Sequence, residues 1–123
     1  MKPHDWIACR IEPATNLSGA GIYLWRVGEQ CYVGKATRLR SRLREYLNNV
    51  RKLEWCRPYR KGRPCGFRPV PVALFKAKFA GAPIEWTVLE QCEAGSALLE
   101  RERHWIATLR PTLNGPARPR INS

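Results

Sequence analysis

One carboxylate in this sequence stands where a carboxylate is expensive. The stretch from about Gly95 or Ser96 to Leu109 reads as a helix stopped by Pro111. Wound at about 100° per residue, it places Leu98, Trp105, Ile106 and Leu109 on one stripe. Glu102 falls in the middle of that stripe and Glu100 on the opposite side. Burying a carboxylate costs free energy unless a cation or a metal compensates it. Glu102 is therefore either half of a structural ion pair with a buried arginine, or a metal ligand or acid/base group at the floor of a cleft. Arg42 and Tyr46, four residues apart on another helical stretch, are neighbours and form a second candidate pair. Between 50 and 71, Trp55, Tyr59 and Phe67 are interleaved with Arg, Lys, Pro and Gly. Such a pattern suits base stacking combined with phosphate contact, and it equally suits aromatics that pin a loop to the core.

The other chemistry-bearing residues carry weaker signals. The five cysteines, Cys9, Cys31, Cys56, Cys65 and Cys92, include no CxxC pair, and their number is odd. This reads as reduced thiols of a cytoplasmic protein, with a zinc site on Cys56, Cys65 and a histidine as the alternative. His4 lies near a terminus and His104 lies off the apolar stripe. Both are expected at the surface, His104 as a secondary candidate for phosphate contact.

Charge narrows the partner. The chain of 123 residues has 22 Lys and Arg against 10 Asp and Glu, a net +12. That excess favours a polyanion over an ordinary small-metabolite substrate. It is also localised. Residues 35–68 hold twelve basic residues against Glu45 and Glu54, whereas residues 1–34 are balanced and 69–100 carry a slight acidic excess. A block of this kind implies a phosphate-facing surface. At 44% apolar residues with five Trp, the chain is no disordered tail. No apolar run reaches the ~18–20 residues of a membrane span, and Asp5 and Arg10 interrupt any secretory leader.

The elements that must hold these residues follow from periodicity. Gly21 to Val27 reads as a strand covered on both faces, Gly28-Glu29 as a turn, and Gln30 to Gly34 as the returning strand of a hairpin. Thr37 is expected to cap a helix running to about Asn49, with Leu39, Leu43, Tyr46 and Leu47 as its apolar stripe and Arg40 and Arg44 turned away. Residues 50–71 read as a long basic loop or insertion, Val72 to Ala80 as a short helix, and Ile84 to Gln91 as a third strand. Residues 1–18 read as an N-terminal extension and 116–123 as a flexible tail.

The motif residues resemble the GIY-YIG nuclease family. Gly21-Ile22-Tyr23 and Tyr32-Val33-Gly34 are similar to the two halves of its motif. Lys35 follows the second glycine as in the family's excision-repair nuclease subunit. Arg42, eight residues beyond Gly34, matches the family's catalytic arginine, and Tyr46 matches repair-type members. Glu102 matches the metal-binding glutamate, and Pro111-Thr112-Leu113-Asn114 resembles a Pro-x-x-Asn ending that makes Asn114 a supporting residue. The resemblance covers residues 19–115. It implies an α+β sandwich with a central three-stranded antiparallel sheet flanked by helices.

It also implies a phosphodiester hydrolase acting on DNA with one divalent ion, Mg²⁺ or Mn²⁺, held by Glu102. Arg42 would grip the scissile phosphate with its planar fork, which Lys could not match. Either Tyr23 or Tyr32 would help deprotonate the attacking water, with its pKa lowered by Lys35. Arg38, Arg40, Arg57, Arg60, Lys61 and Arg63 are expected on the DNA backbone. Whether that DNA is single-stranded, branched or duplex is open, as is a role in repair, restriction or mobile elements. The competing reading is a non-catalytic basic nucleic-acid-binding module. It accounts for the charge block but not for a glutamate that would repel phosphate without a metal.

Overall fold

The computed structural model describes residues 6–56 and 69–114. Four strands, β1 (Ala8–Arg10), β2 (Gly21–Val27), β3 (Gln30–Ala36) and β4 (Ile84–Gln91), form one sheet in the order β1-β4-β2-β3. Helices α1 (Leu39–Cys56), α2 (Pro69–Ala80) and α3 (Ser96–Leu109) flank it, and a short 3-10 turn, Thr112–Asn114, closes the described chain.

The sheet has four strands rather than the expected three. The extra one is β1, inside the segment read as an extension, and it pairs parallel with β4, Ala8 opposite Glu85 and Arg10 opposite Thr87. Its three residues are all exposed, so it carries no burial pattern to read. An Arg10–Glu85 ion pair adds to the backbone ladder. The central hairpin is as expected. Its register runs from Gly21↔Ala36 to Val27↔Gln30, with Gly28 supplying the positive φ of 62° that the two-residue turn needs.

Alternation along β2 divides the core. Tyr23, Trp25 and Val27 face Leu39, Tyr46 and Val50 of α1, Val70 and Leu74 of α2, and Trp86 of β4. Ile22 and Leu24 face the other way, with Val33, against Leu98, Trp105, Ile106 and Leu109 of α3. The result is a three-layer sandwich, α1 and α2 on one face and α3 on the other.

Two helix boundaries differ from the sequence reading. α1 begins at Leu39 rather than being capped by Thr37. Its first N–H groups are taken by the preceding loop, Leu39 N–H by the Gly19 carbonyl at 3.0 Å and Arg40 N–H by the Leu17 carbonyl at 2.8 Å. It continues past Asn49 to Cys56 because Val50 and Leu53 extend the buried stripe by two turns. α2 starts at Pro69, where a proline loses no helical hydrogen bond. The stretch read as a 50–71 loop is therefore helical at both ends. Residues 57–68, with Arg57, Arg60, Lys61, Arg63 and the Cys65 half of the zinc alternative, lie outside the described residues, as do His4 and the 116–123 tail.

Candidate active site

The site is built around the edge strand β3. Tyr23 of β2 pairs with Gly34 of β3, and its ring closely covers that glycine. A Cβ on Gly34 would collide with the Tyr23 Cζ and hydroxyl and come within 2.8 Å of Tyr32 Cε2. At Gly21 a Cβ would press on the Glu90 carbonyl and lie 3.1 Å from Leu39 Cδ1. The two glycines are thus required by close approach rather than by a turn.

Tyr23 is fully buried, and its hydroxyl lies 2.8 Å from that of Tyr46 on α1. Burial pushes the Tyr23 phenol up to about 12, against the opposing pull of the Tyr46 hydrogen bond and the Arg42 charge. Desolvation likewise raises Tyr46, reinforced by Tyr23. Arg42 extends from the same helix. Its Nη1 donates to the Lys35 carbonyl at 3.0 Å, and its Nε is 3.4 Å from Glu45 Oε1. Burial works against the Arg42 charge, but Tyr23, Glu45 and Tyr46 more than offset it and its pKa is raised. Tyr32, half-buried on β3, holds its ring 6.4 Å from that of Tyr23 at 44°.

Lys35 joins the two faces of the sheet. Its carbonyl receives Arg42 from the α1 side. Its side chain, at the position paired with Ile22, turns to the α3 side, where Nζ lies 3.5 Å from Glu102 Oε1. Glu102 keeps only 14% of its side chain exposed, between the apolar Leu98, Trp105, Ile106 and Leu109 that line the second core. The helical phase that singled out Glu102 is thereby observed, with Glu100 exposed. The partner of Glu102 is a lysine from a strand 67 positions away, not a buried arginine.

This geometry corrects one expectation. Lys35 does not sit beside Tyr23 to lower its pKa. It faces the opposite side of the sheet from Tyr23, and the Tyr23 phenol is raised. Asn114 stands apart from the cluster and works through β3. Its Oδ1 accepts from Val33 N–H at 2.8 Å and its Nδ2 donates to Val33 C=O at 2.9 Å, so the amide acts as one more rung of sheet on the outer edge of β3. Arg38 and Arg40 are exposed at the start of α1, and Arg44 and Arg51 continue that face. His104 is exposed, edge-on to the Trp105 ring at 5.6 Å. Cys9, Cys31 and Cys92 are free thiols.

The donor set suits one hard cation. Among the described residues no three His, Cys, Asp or Glu side chains gather to hold a metal. Glu102 offers one shielded carboxylate, 14% exposed, beside a basic surface. A single carboxylate fits Mg²⁺, which retains most of its waters and completes its shell with substrate oxygens. Zinc would need nitrogen or sulfur ligands that do not gather there.

Glu90 is a carboxylate beside this cluster that sequence reasoning did not single out. Both of its carboxylate oxygens accept from Arg101 Nε, at 2.9 and 3.0 Å, and Oε1 accepts from Trp105 Nε1 at 2.9 Å. The Trp105 bond, then the Arg101 bond and charge, hold its pKa below the usual value against some desolvation.

The chain matches the family model of the GIY-YIG catalytic domain over residues 19–115. No curated protein and no solved structure matches it. Among the described residues no helix is long and apolar enough to cross a membrane.

Proposed function

The chain belongs to the GIY-YIG family, a nuclease-type family, and from that premise we propose that it is a metal-dependent DNA endonuclease hydrolysing phosphodiester bonds. The observation that carries this reading is Lys35, which ties the arginine of one sheet face to the glutamate of the other at a single strand edge. An arginine fork and a shielded carboxylate at one edge are what a phosphodiester needs: one to bind the anion, one to hold a cation.

In this reading Arg42 receives the scissile phosphate, pre-oriented by the Lys35 carbonyl and the Tyr23–Tyr46 pair. Glu102 holds one divalent ion, Mg²⁺ or Mn²⁺. When bound, the ion supplies stabilisation of charge on the non-bridging and leaving oxygens. Tyr32 is the base candidate of the two motif tyrosines. Tyr23 has no solvent exposure and a phenol at about 12, so water cannot reach it and it holds its proton. Tyr32 is accessible at the strand edge. Tyr46 fixes Tyr23 and, with it, Arg42. The exposed Arg40, Arg44 and Arg51 form a stripe about 16 Å long on α1 at a rise of 1.5 Å per residue; it lies on the flank of that helix opposite Arg42, a second basic surface suited to phosphate contact outside the strand edge.

Incubation with supercoiled, linear and single-stranded DNA, in Mg²⁺ or chelator, tests the proposal. Cleavage is expected only with the metal. Glu102→Ala should bind DNA without cutting it. Undiminished cleavage by Glu102→Ala refutes the site, and binding without cleavage by the wild type under any divalent metal identifies a binding module instead.

A further inference from the structure

The register of β4 contains an irregularity that re-aims one carboxylate. Along β2 and β4 the pairs run regularly from Val27↔Ile84 to Tyr23↔Val88, then shift so that Ile22 faces Glu90. Leu89 is the extra residue. Before the shift, alternation holds: Trp86 and Val88 lie with the α1–α2 core, while Leu89 lies with the α3 core. Unbroken alternation would return Glu90 to the α1–α2 side, into the apolar layer around Tyr23. The bulge instead puts two consecutive side chains, Leu89 and Glu90, on the α3 side. There the Glu90 carboxylate takes its three hydrogen bonds from Arg101 and Trp105.

Those two residues bracket Glu102 in the chain. On a helix Arg101 lies about 100° and Trp105 about 60° to one side of Glu102. Glu90 therefore grips α3 on one flank, over β4, while Lys35 meets Glu102 on β3. β2 lies between those strands, so α3 is held from β4 on one flank and from β3 on the other. The grip is rigid in kind: a guanidinium nitrogen shared by both carboxylate oxygens and an indole N–H leave little freedom to roll.

We propose that Glu90 is a positioning residue that fixes the rotation of α3 and so holds Glu102 at the edge of β3 in its metal-binding orientation. This rests on the reading of Glu102 as the cation-holding carboxylate. Glu90 touches neither substrate nor ion. It acts as the outer partners of metal ligands do, whose loss costs about 10–100-fold in metal affinity or activity.

The test compares Glu90→Ala and Glu90→Gln with the wild type by three measurements. Water-proton relaxation with Mn²⁺ gives the metal affinity without any turnover. It should weaken by about 10–100-fold in Glu90→Ala. It should weaken less in Glu90→Gln, whose amide oxygen still accepts from Trp105. Steady-state cleavage at saturating Mn²⁺ should show kcat reduced with KM for DNA unchanged, a split that general loss of fold would not give. Amide chemical shifts of the metal-free protein should change at Glu102 and Lys35 as well as at Arg101 and Trp105. Wild-type Mn²⁺ affinity and kcat in Glu90→Ala overturn the proposal. So do shift changes confined to the contacts of Glu90 itself. A wild type that binds no Mn²⁺ defeats the reading of Glu102 instead, and the shift pattern alone then decides whether Glu90 sets the helix.

Discussion

Replacing each motif tyrosine by phenylalanine separates a buried strut from a reacting group. Tyr23→Phe removes one oxygen and no ring. The ring continues to cover Gly34, so no cavity forms. What is lost is the 2.8 Å bond to Tyr46, whose hydroxyl then remains in a site 9% exposed with no Tyr23 oxygen to pair with. An unsatisfied buried hydroxyl costs about 1–3 kcal/mol. For a domain of this size about 3–5 °C of Tm follows each kcal/mol, so a Tm loss of roughly 3–15 °C is expected. Arg42 loses one neighbour but keeps the Lys35 carbonyl, so single-turnover cleavage should fall by no more than about tenfold, equivalent to about 1.4 kcal/mol. Tyr32→Phe should do the reverse, losing about 10²–10⁴ in cleavage rate, the usual contribution of general-base catalysis, with a smaller change in Tm. Thermal melts by circular dichroism and single-turnover cleavage on one substrate read both effects. Tyr23→Phe with an unchanged Tm and a cleavage defect as deep as that of Tyr32→Phe would refute the division of labour.

Gly34→Ala should fail at the packing level, because its methyl group enters the space of the Tyr23 ring; overpacking of this kind costs about 1–3 kcal/mol, seen as a lower urea midpoint than that of the wild type. Replacing Arg40, Arg44 and Arg51 together by Gln should weaken DNA binding and flatten its log–log salt dependence by about 0.9 for each duplex phosphate no longer neutralised; an unchanged slope would place the DNA elsewhere. Stability should decline in alkali. Above pH 10 the unfolded chain releases the tyrosine proton that native Tyr23 retains up to about 12, so the unfolded state binds fewer protons and stability falls across that window, whereas urea midpoints that rise between pH 9 and 11.5 would contradict the buried phenol. At the acid end the lowered Glu90 pKa gives the opposite sign, a contribution present above about pH 4.5 and lost as pH falls, which Glu90→Gln should abolish.

What the sequence made legible was whatever repeats locally. The strands Gly21–Val27 and Ile84–Gln91 and the helix Ser96–Leu109 announce themselves by alternation, by turn residues and by an apolar stripe, and that stripe alone was enough to single out Glu102. The elements that escaped depend on what lies across the fold. β1 is three exposed residues that become a strand only because β4 offers a free edge. Asn48-Asn49 resembles a helix end, yet α1 runs through it because Val50 and Leu53 gain burial beyond it and Lys78 of α2 holds Glu54 at 2.8 Å. The site divides in the same way. Helix phase could place Arg42 beside Tyr46 and Glu102 on its stripe, but not the strand between them whose carbonyl and ammonium reach both. Lys35 gains its role from the pleat, which sends its side chain to the face opposite Tyr23. Glu90 gains its role from a single extra residue in the pleat. A one-residue slip of parity inverts every facing that alternation assigns, so a period-two reading sends Glu90 to the wrong side of the sheet. The residues that bond to ions and phosphates were thus readable from type and spacing, and those that aim them were not, because aim is set by register between strands and not by the order of residues within one.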